Sequence, residues 1–194
     1  MKVNEMFYSI QGEGYHTGTP ALFIRLSGCN LKCPFCDTDH KGYDEMDEDE
    51  IAQFASKFEA SLCVITGGEP ALQLTETLVD YLHSVGCYVA VETNGTLPLP
   101  KNVDWVTVSP KQSYVGAKGK VVLDHVDELK VVFDAENPIE DPTFGIKADH
   151  YYVQPCDTKD PQKNEKNIEY CINFVKQNPL WKISLQTQKI LNVR

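Results

Sequence analysis

The sequence predicts an α/β protein with a single domain over residues 1–194, built as an open, incomplete parallel β/α barrel with about six core strands and three helices. Three observations carry that expectation. β-rich apolar runs alternate with segments of helical period through the first half of the chain. In the second half that rhythm changes, and only one further segment of helical period accompanies the runs. Polar clusters rich in Gly, Cys, Asn and Pro fall where the runs end, which is where parallel β/α folds place their sites. At 194 residues the chain can bury a sizeable core, yet it is shorter than the roughly 200 residues of a complete eight-stranded barrel.

Taken in order, Ala21 to Leu26 is an apolar run broken by Arg25, the pattern of a central strand with one inward-facing Arg near its end. Asp47 with Glu50 three residues later is a helix start, and Ile51, Phe54, Ala55 and Phe58 supply the helical period. Leu62 to Thr66 is a second strand, ending in Gly67-Gly68-Glu69-Pro70. Pro70 suits a first helical turn, and Ala71, Leu74, Leu78, Leu82 and Val85 form the buried stripe of one helix stopped by Gly86. Tyr88 to Val91 follows, closed by Glu92-Thr93-Asn94-Gly95. The linker with Pro98 and Pro100 is too short and too proline-rich for a crossover helix before Trp105 to Val108. Glu128 to Phe133, Tyr151 to Val153 and Ile183 to Leu185 complete the strands, with a helix around Ile168, Cys171, Ile172 and Val175 before the last. Strand faces and edges without covering helices predict a homodimer.

Composition narrows the function. A net charge of −10 with no basic run argues against nucleic acid as a partner. The acids concentrate between Asp44 and Glu50, the composition of a solvated loop and helix start. The N-terminus lacks a signal-peptide pattern, and no segment approaches the roughly 20 apolar residues of a membrane span. Seven cysteines, three of them close together, suit a reducing cytoplasm better than a disulfide framework. Cys63, Cys87, Cys156 and Cys171 sit in apolar or periodic segments and are expected to be buried.

The most informative stretch is Cys29-Asn30-Leu31-Lys32-Cys33-Pro34-Phe35-Cys36. Three thiols in one loop can converge on a metal centre, one short of the four that close a zinc site or an iron-sulfur cluster. A four-iron cluster on three thiolates leaves one iron with an exchangeable position. The spacing also permits a Cys3His zinc site completed by His40, or three unconnected buried cysteines.

The spacing C-x3-C-x2-C resembles the signature of radical S-adenosylmethionine (SAM) enzymes, and Gly67-Gly68-Glu69-Pro70, about 30 residues downstream, resembles their SAM-binding GGE motif. Asn4 to Gly14 (NEMFYSIQGEG), Arg25, Cys36-Asp37-Thr38, Ser109-Pro110-Lys111, Gln154-Pro155 and the closing LQTQKILNVR together resemble the 7-carboxy-7-deazaguanine synthase family, from about residue 4 to the last. The resemblance implies a barrel of the radical SAM type. It implies ring contraction of 6-carboxy-5,6,7,8-tetrahydropterin to 7-carboxy-7-deazaguanine with loss of ammonia, in the synthesis of queuosine and related 7-deazapurines. Another small radical SAM protein, an activase that makes a glycyl radical on a partner enzyme, shares the cysteine spacing but needs no pterin contacts.

By that resemblance Cys29, Cys33 and Cys36 hold a [4Fe-4S] cluster with SAM on the fourth iron. Phe35, Cys36, Asp37, Gly68, Ser109, Pro110, Lys111, Gln154, Pro155, Cys156 and Asp157 line SAM, with Glu92 a weaker candidate. Ile10, Gln11, Gly12 and Glu13 meet the pterin edge, Arg25 clasps the substrate carboxylate, and Thr66 is a further contact. Thr38 is the Mg2+ ligand, with the remaining oxygens drawn from substrate and water. The α-carboxylate of Arg194 reaches the substrate. Gln188 stands where the family usually has His, which removes any proton transfer by that side chain. An electron donor such as a flavodoxin is the expected protein partner.

Overall fold

The computed structural model describes residues 1–36 and 42–194. Its strands are β1 (Lys2–Ile10), β2 (Pro20–Leu26), β3 (Asp44–Glu45), β4 (Leu62–Gly67), β5 (Tyr88–Thr93), β6 (Trp105–Val108), β7 (His125–Phe133), β8 (Lys147–Pro155) and β9 (Trp181–Ile183). They form one sheet in the order β3-β1-β2-β4-β5-β6-β7-β8-β9. From β2 to β9 every pairing is parallel, while β1 runs antiparallel to both β2 and β3. The sheet is therefore open and mostly parallel, and its seven parallel strands correspond to the seven runs named in the sequence, in line with the about six core strands expected. Helices are α1 (Glu48–Ala55), α2 (Glu76–Ser84), α3 (Gln112–Val115), α4 (Pro161–Gln177) and α5 (Thr187–Leu191), of which α1, α2 and α4 match the expected three.

Side-chain alternation explains how the sheet serves two purposes. Leu22, Ile24 and Leu26 of β2, Cys63 and Ile65 of β4, and Val89 and Val91 of β5 face outward, packing with Ile51 of α1 and Leu78 and Leu82 of α2. Leu129, Val131 and Phe133 of β7, with Val153 of β8, do the same against Cys171 of α4. The opposite face carries Ala21, Phe23, Leu62, Val64, Ala90 and Trp105, an apolar floor. Burying one of the larger floor or outer-layer side chains contributes about 2 kcal/mol.

The helix ends follow local chemistry. Asp47 and Glu50 form a reciprocal capping box at α1, with both N–H···O distances 2.8 Å. The single helix expected from Pro70 to Val85 is instead two pieces. Glu69 caps a short 3-10 turn, Pro70–Leu72, by accepting the Ala71 N–H. Thr75 then caps a new start by accepting the Leu78 N–H at 3.1 Å. Val85, expected in the stripe, is exposed, whereas Leu74, Leu78 and Leu82 are buried. In α4, Cys171 is buried but Ile168 and Ile172 are exposed, so the apolar stripe is narrower than its period implies. The last strand falls at Trp181–Ile183, two residues before the expected Ile183 to Leu185. Cys63, Cys87, Cys156 and Cys171 are buried free thiols, as expected. Among the described residues no helix is long and apolar enough to cross a membrane.

Candidate active site

Above the apolar floor the inward positions of the strands become polar. Arg25 pairs in register with Thr66, Glu92 with Thr107, and Lys130 follows on β7, with Gln154 on β8. These residues line one cavity of about 580 Å³ at the C-terminal ends of the parallel strands. That is ordinary for a small-molecule site. Residues from both ends of the chain share its wall, which requires the sheet to curl until its first strands face its last.

The thiol end is built by the loop after β2. Cys29, Cys33, Phe35 and Cys36 line the cavity there. Cys29 Sγ accepts the Leu31 N–H at 3.4 Å. The base of this loop rests on the glycines after β4. Gly68 N–H donates to Leu26 O at 3.0 Å, and Glu69 N–H to Gly28 O at 2.8 Å. A Cβ on Gly68 would sit 2.0 Å from Gly28 O, and one on Gly67, where φ is +132°, 2.1 Å from Leu26 O. The paired glycines thus permit β4 to press against the loop that carries the cysteines. Burial raises the Cys29 and Cys33 thiols, while the nearby Lys111 amine opposes that rise. Lys111 itself is brought down to about 8 by burial, with Cys33 pulling the other way.

Three thiols opening on one cavity, beside a cation and a hydrogen-bonded sulfur, fit a cluster with three protein ligands. Among the described residues no three His, Cys, Asp or Glu side chains converge on a single-ion site. A zinc ion would need its sulfurs about 3.8 Å apart. A cubane gives each thiolate its own iron and asks for less convergence. Asp37, Thr38 and His40 lie outside the described residues, so the expected SAM contact, the Mg2+ ligand and the fourth zinc ligand have no placement here.

The other expected SAM contacts gather on this rim. Gly68, Ser109, Lys111, Gln154, Pro155, Cys156 and Asp157 all line the cavity, as does Glu92, while Pro110 is buried and is not among the lining side chains. Lys111 Nζ donates back to Ser109 O and Oγ, at 2.7 and 2.6 Å, fixing the turn after β6. Asp157 accepts from Lys189 Nζ, the Lys159 N–H and Asn164 Nδ2, and these bonds hold its carboxyl at about 2.

At the opposite end, Ile10, Gln11, Gly12, Glu13, Arg25, Thr66 and Arg194 share the wall. Arg25 Nε donates to Glu5 Oε1 at 2.9 Å, and Arg194 Nη2 bonds the other oxygen of Glu5, so two guanidiniums share one carboxylate. Ser9 Oγ donates to Arg194 O at 2.6 Å. Glu13 is the hub. Its Oε2 accepts from Lys130 Nζ at 2.7 Å, and its Oε1 accepts from Gln186 Nε2 at 2.9 Å and Gln188 Nε2 at 3.0 Å. Burial alone would raise this carboxyl, but the Lys130 charge and these bonds outweigh it and hold Glu13 at about 2. Gln188 thus keeps a place in the site as a donor, with its Oε1 buried and unpartnered.

Lys130, Glu5, Gln186 and Lys189 line this cavity without having been singled out in the sequence. Glu128, one inward position below Lys130, is buried, and burial pushes its carboxyl up to about 7. The alternation Glu128, Lys130 within the apolar Leu129, Val131 and Phe133 was the available signal: two charges on one face of a strand otherwise fit for a core.

Residues 23–112 match the model of the radical SAM superfamily, whose members carry a [4Fe-4S] cluster and SAM. A 7-carboxy-7-deazaguanine synthase from Bacteroides thetaiotaomicron is 47% identical over 100% of this chain and 98% of its own length. The protein of the same name from Burkholderia multivorans is 38% identical, with 98% of each chain covered. The crystal structure of QueE from Escherichia coli superposes with a TM-score of 0.74 at 27% identity, covering 95% of this chain and 93% of that one. SuiB from Streptococcus suis, bound to precursor peptide SuiA, shares the fold alone, with a TM-score of 0.53 at 16% identity over 80% of this chain and 46% of its own. Identity of this order along the whole length, joined to three thiols and a glycine-braced loop on one cavity rim, places the chain in the 7-carboxy-7-deazaguanine synthase family of the radical SAM superfamily.

Proposed function

We propose that this protein contracts the ring of 6-carboxy-5,6,7,8-tetrahydropterin to give 7-carboxy-7-deazaguanine with loss of ammonia. The observation that carries the reading is a single cavity with thiols at one end and, at the other, paired guanidiniums and an ionised carboxylate. When bound, the cluster and SAM supply the one-electron initiation of radical chemistry. The chain's own residues orient the substrate. Arg25 uses Nε on Glu5, and its two Nη nitrogens form the planar, two-pronged donor that suits the substrate carboxylate. Glu13, charged and enclosed, suits the amidine-like N–H edge of the pterin. Gln11 and Thr66, both bonded to Glu92, frame the ring between them. The apolar floor of Phe23, Val64 and Trp105 excludes water from below.

Thr38 as Mg2+ ligand, the α-carboxylate of Arg194 as a substrate contact, a flavodoxin-type electron donor, a homodimer and a cytoplasmic setting complete the proposal. Mg2+ is expected to act on ring contraction more than on SAM binding. A C-terminal tag is expected to impair turnover. The deciding experiment incubates anaerobically reconstituted protein with SAM, a reductant and the carboxypterin. Release of 7-carboxy-7-deazaguanine and ammonia supports the proposal, and 5′-deoxyadenosine release that the pterin neither stimulates nor accompanies with product would refute it.

A further inference from the structure

Lys130 enters the cavity from the middle of β7, and its side chain is only 7% exposed. Its ammonium lies 2.7 Å from Glu13 Oε2 and 3.2 Å from Glu92 Oε1. Bonds run on from both carboxylates. Glu92 accepts from Gln11 Nε2 at 3.2 Å and from Thr66 Oγ1 at 3.1 Å, and Glu13 accepts from Gln186 and Gln188. Gln11, Glu13 and Thr66, three of the residues proposed to meet the pterin ring, are therefore all fastened to one nitrogen directly or through a single carboxylate. They come from the β1–β2 loop and from β4, and the loop meets β7 a second time where the Tyr15 N–H donates to Glu128 Oε2 at 2.9 Å.

We infer that Lys130 is the positioning residue of the substrate end, fixing Glu13 and Glu92 in place so that the cavity offers an oriented carboxylate acceptor to an amidine-like N–H edge. This rests on the reading of the cavity as a carboxypterin site. The physical reason is desolvation. A carboxylate this enclosed takes up a proton unless a cation sits against it. A protonated Glu13 would turn a donor toward the donors of the ring and lose the contact. Every charged group facing Lys130 fits the role. Among the described residues, Glu13 comes from the β1–β2 loop, Glu92 from β5 and Glu128 from β7 itself, while Lys111, after β6, is a cation that opposes it. Burial already drives Glu128 toward its neutral form, and the ammonium lies against Glu13 and Glu92.

Lys130→Met removes the charge at similar length, and Lys130→Arg keeps it. Both are compared with the wild type as reconstituted holoenzyme, reading carboxypterin affinity and KM from about pH 5.5 to 9, with iron content and SAM affinity as controls. The Met variant is expected to bind the pterin roughly 30-fold more weakly at the acid end. Its affinity should recover as pH rises through the released carboxyl's new pKa. The Arg variant should regain the wild-type profile, and SAM affinity should stay within about twofold in all three. Should Lys130→Met fail to fold, the double variant Lys130→Met, Glu13→Gln carries the test, because it leaves no unpaired charge on Glu13's position and should bind weakly with no pH dependence from this group. A Met variant with wild-type affinity and profile overturns the inference. So does an Arg variant as impaired and pH-sensitive as Met with iron and SAM binding intact, or a double variant that retains the titration. A wild-type enzyme that yields no deazaguanine overturns the functional reading and this inference with it; an active wild type indistinguishable from Lys130→Met overturns the inference alone.

Discussion

Glu69 and Asn94 are joined by a buried hydrogen bond, in which Glu69 Oε2 accepts the Asn94 N–H at 2.8 Å. The other oxygen accepts from Thr93 Oγ1 at 2.6 Å and from the Ala71 N–H at 3.0 Å, and the residue is 0% exposed. The carboxylate of the GGE motif is thus committed to the protein, tying the end of β4 to the end of β5. Gly67 and Gly68 line the cavity, so in the proposed SAM site their backbone, rather than the Glu69 side chain, is what is exposed to the ligand. Glu69→Ala is expected to cost about 3 kcal/mol by stranding two backbone donors and a hydroxyl in the interior. The shift of the urea midpoint measures it, and an unshifted midpoint would remove the bracing role.

Gly68→Ala should damage the cluster loop. The added Cβ meets Gly28 O at 2.0 Å and Cys29 N at 3.0 Å, both backbone atoms at the base of the loop that carries the proposed cluster thiols. Neither can swing aside as a side chain would, so the loop must move. The expected result is a fall in iron bound per chain after reconstitution, together with about 2 kcal/mol of lost stability. Full iron content at wild-type stability would show that the contact relaxes freely.

Arg25→Lys preserves the charge but replaces a planar fork by a point donor. Glu5 can still pair with Lys, so the fold should hold. Loss of a two-pronged contact costs on the order of 2 kcal/mol, a rise of roughly 30-fold in KM for the carboxypterin. SAM cleavage without substrate should be unchanged, since Arg25 sits at the far end of the cavity. Steady-state kinetics and 5′-deoxyadenosine release separate the two effects.

Glu128 should make stability depend on pH in a direction opposite to the usual acid. Burial raises its folded-state pKa to about 7 from an ordinary 4.5. Below about 4.5 the carboxyl is protonated in both states and contributes nothing. As pH rises from there to about 7 the unfolded chain releases its proton first, so stability falls and stays lower above 7. The loss is on the order of 3 kcal/mol. Glu128→Gln should flatten this slope in denaturant titrations over that window, and an unaltered slope would assign it to other groups.

Much of this architecture was legible because period and punctuation agreed. Trp105 to Val108 falls where the sequence places it, and Asp47, Glu50 and Gly86 mark real helix ends. β1 was not foreseen. Lys2 to Ile10 alternates weakly, and its partners, β2 and the two-residue β3, are brought to it by tertiary pairing. The break between Pro70 and Glu76 was hidden for a similar reason: the apolar spacing continues through it, and only the competing caps at Glu69 and Thr75 divide it. At the site, motif residues announced the thiol rim. Lys130 did not stand out, because a lone Lys in a strand is ordinarily a solvated edge residue. Its importance arises from Glu13, 117 positions away in sequence.

The bonds that bring the end of β1 and the β1–β2 loop against residues after β9 carry a temporal consequence. Gly14 N–H donates to Ser184 Oγ, Thr187 N–H to Gly12 O, and Ser9 Oγ to Arg194 O, across separations of 170 to 185 residues. Such closures form late, because a long span of chain must be ordered before they can be made. On a ribosome the thiol-bearing loop and its glycine brace emerge early, whereas the substrate end stays open until residues 184–194 have cleared the exit tunnel. Metal loading can therefore begin on a nascent chain that does not yet have a complete pocket for the molecule it is to transform.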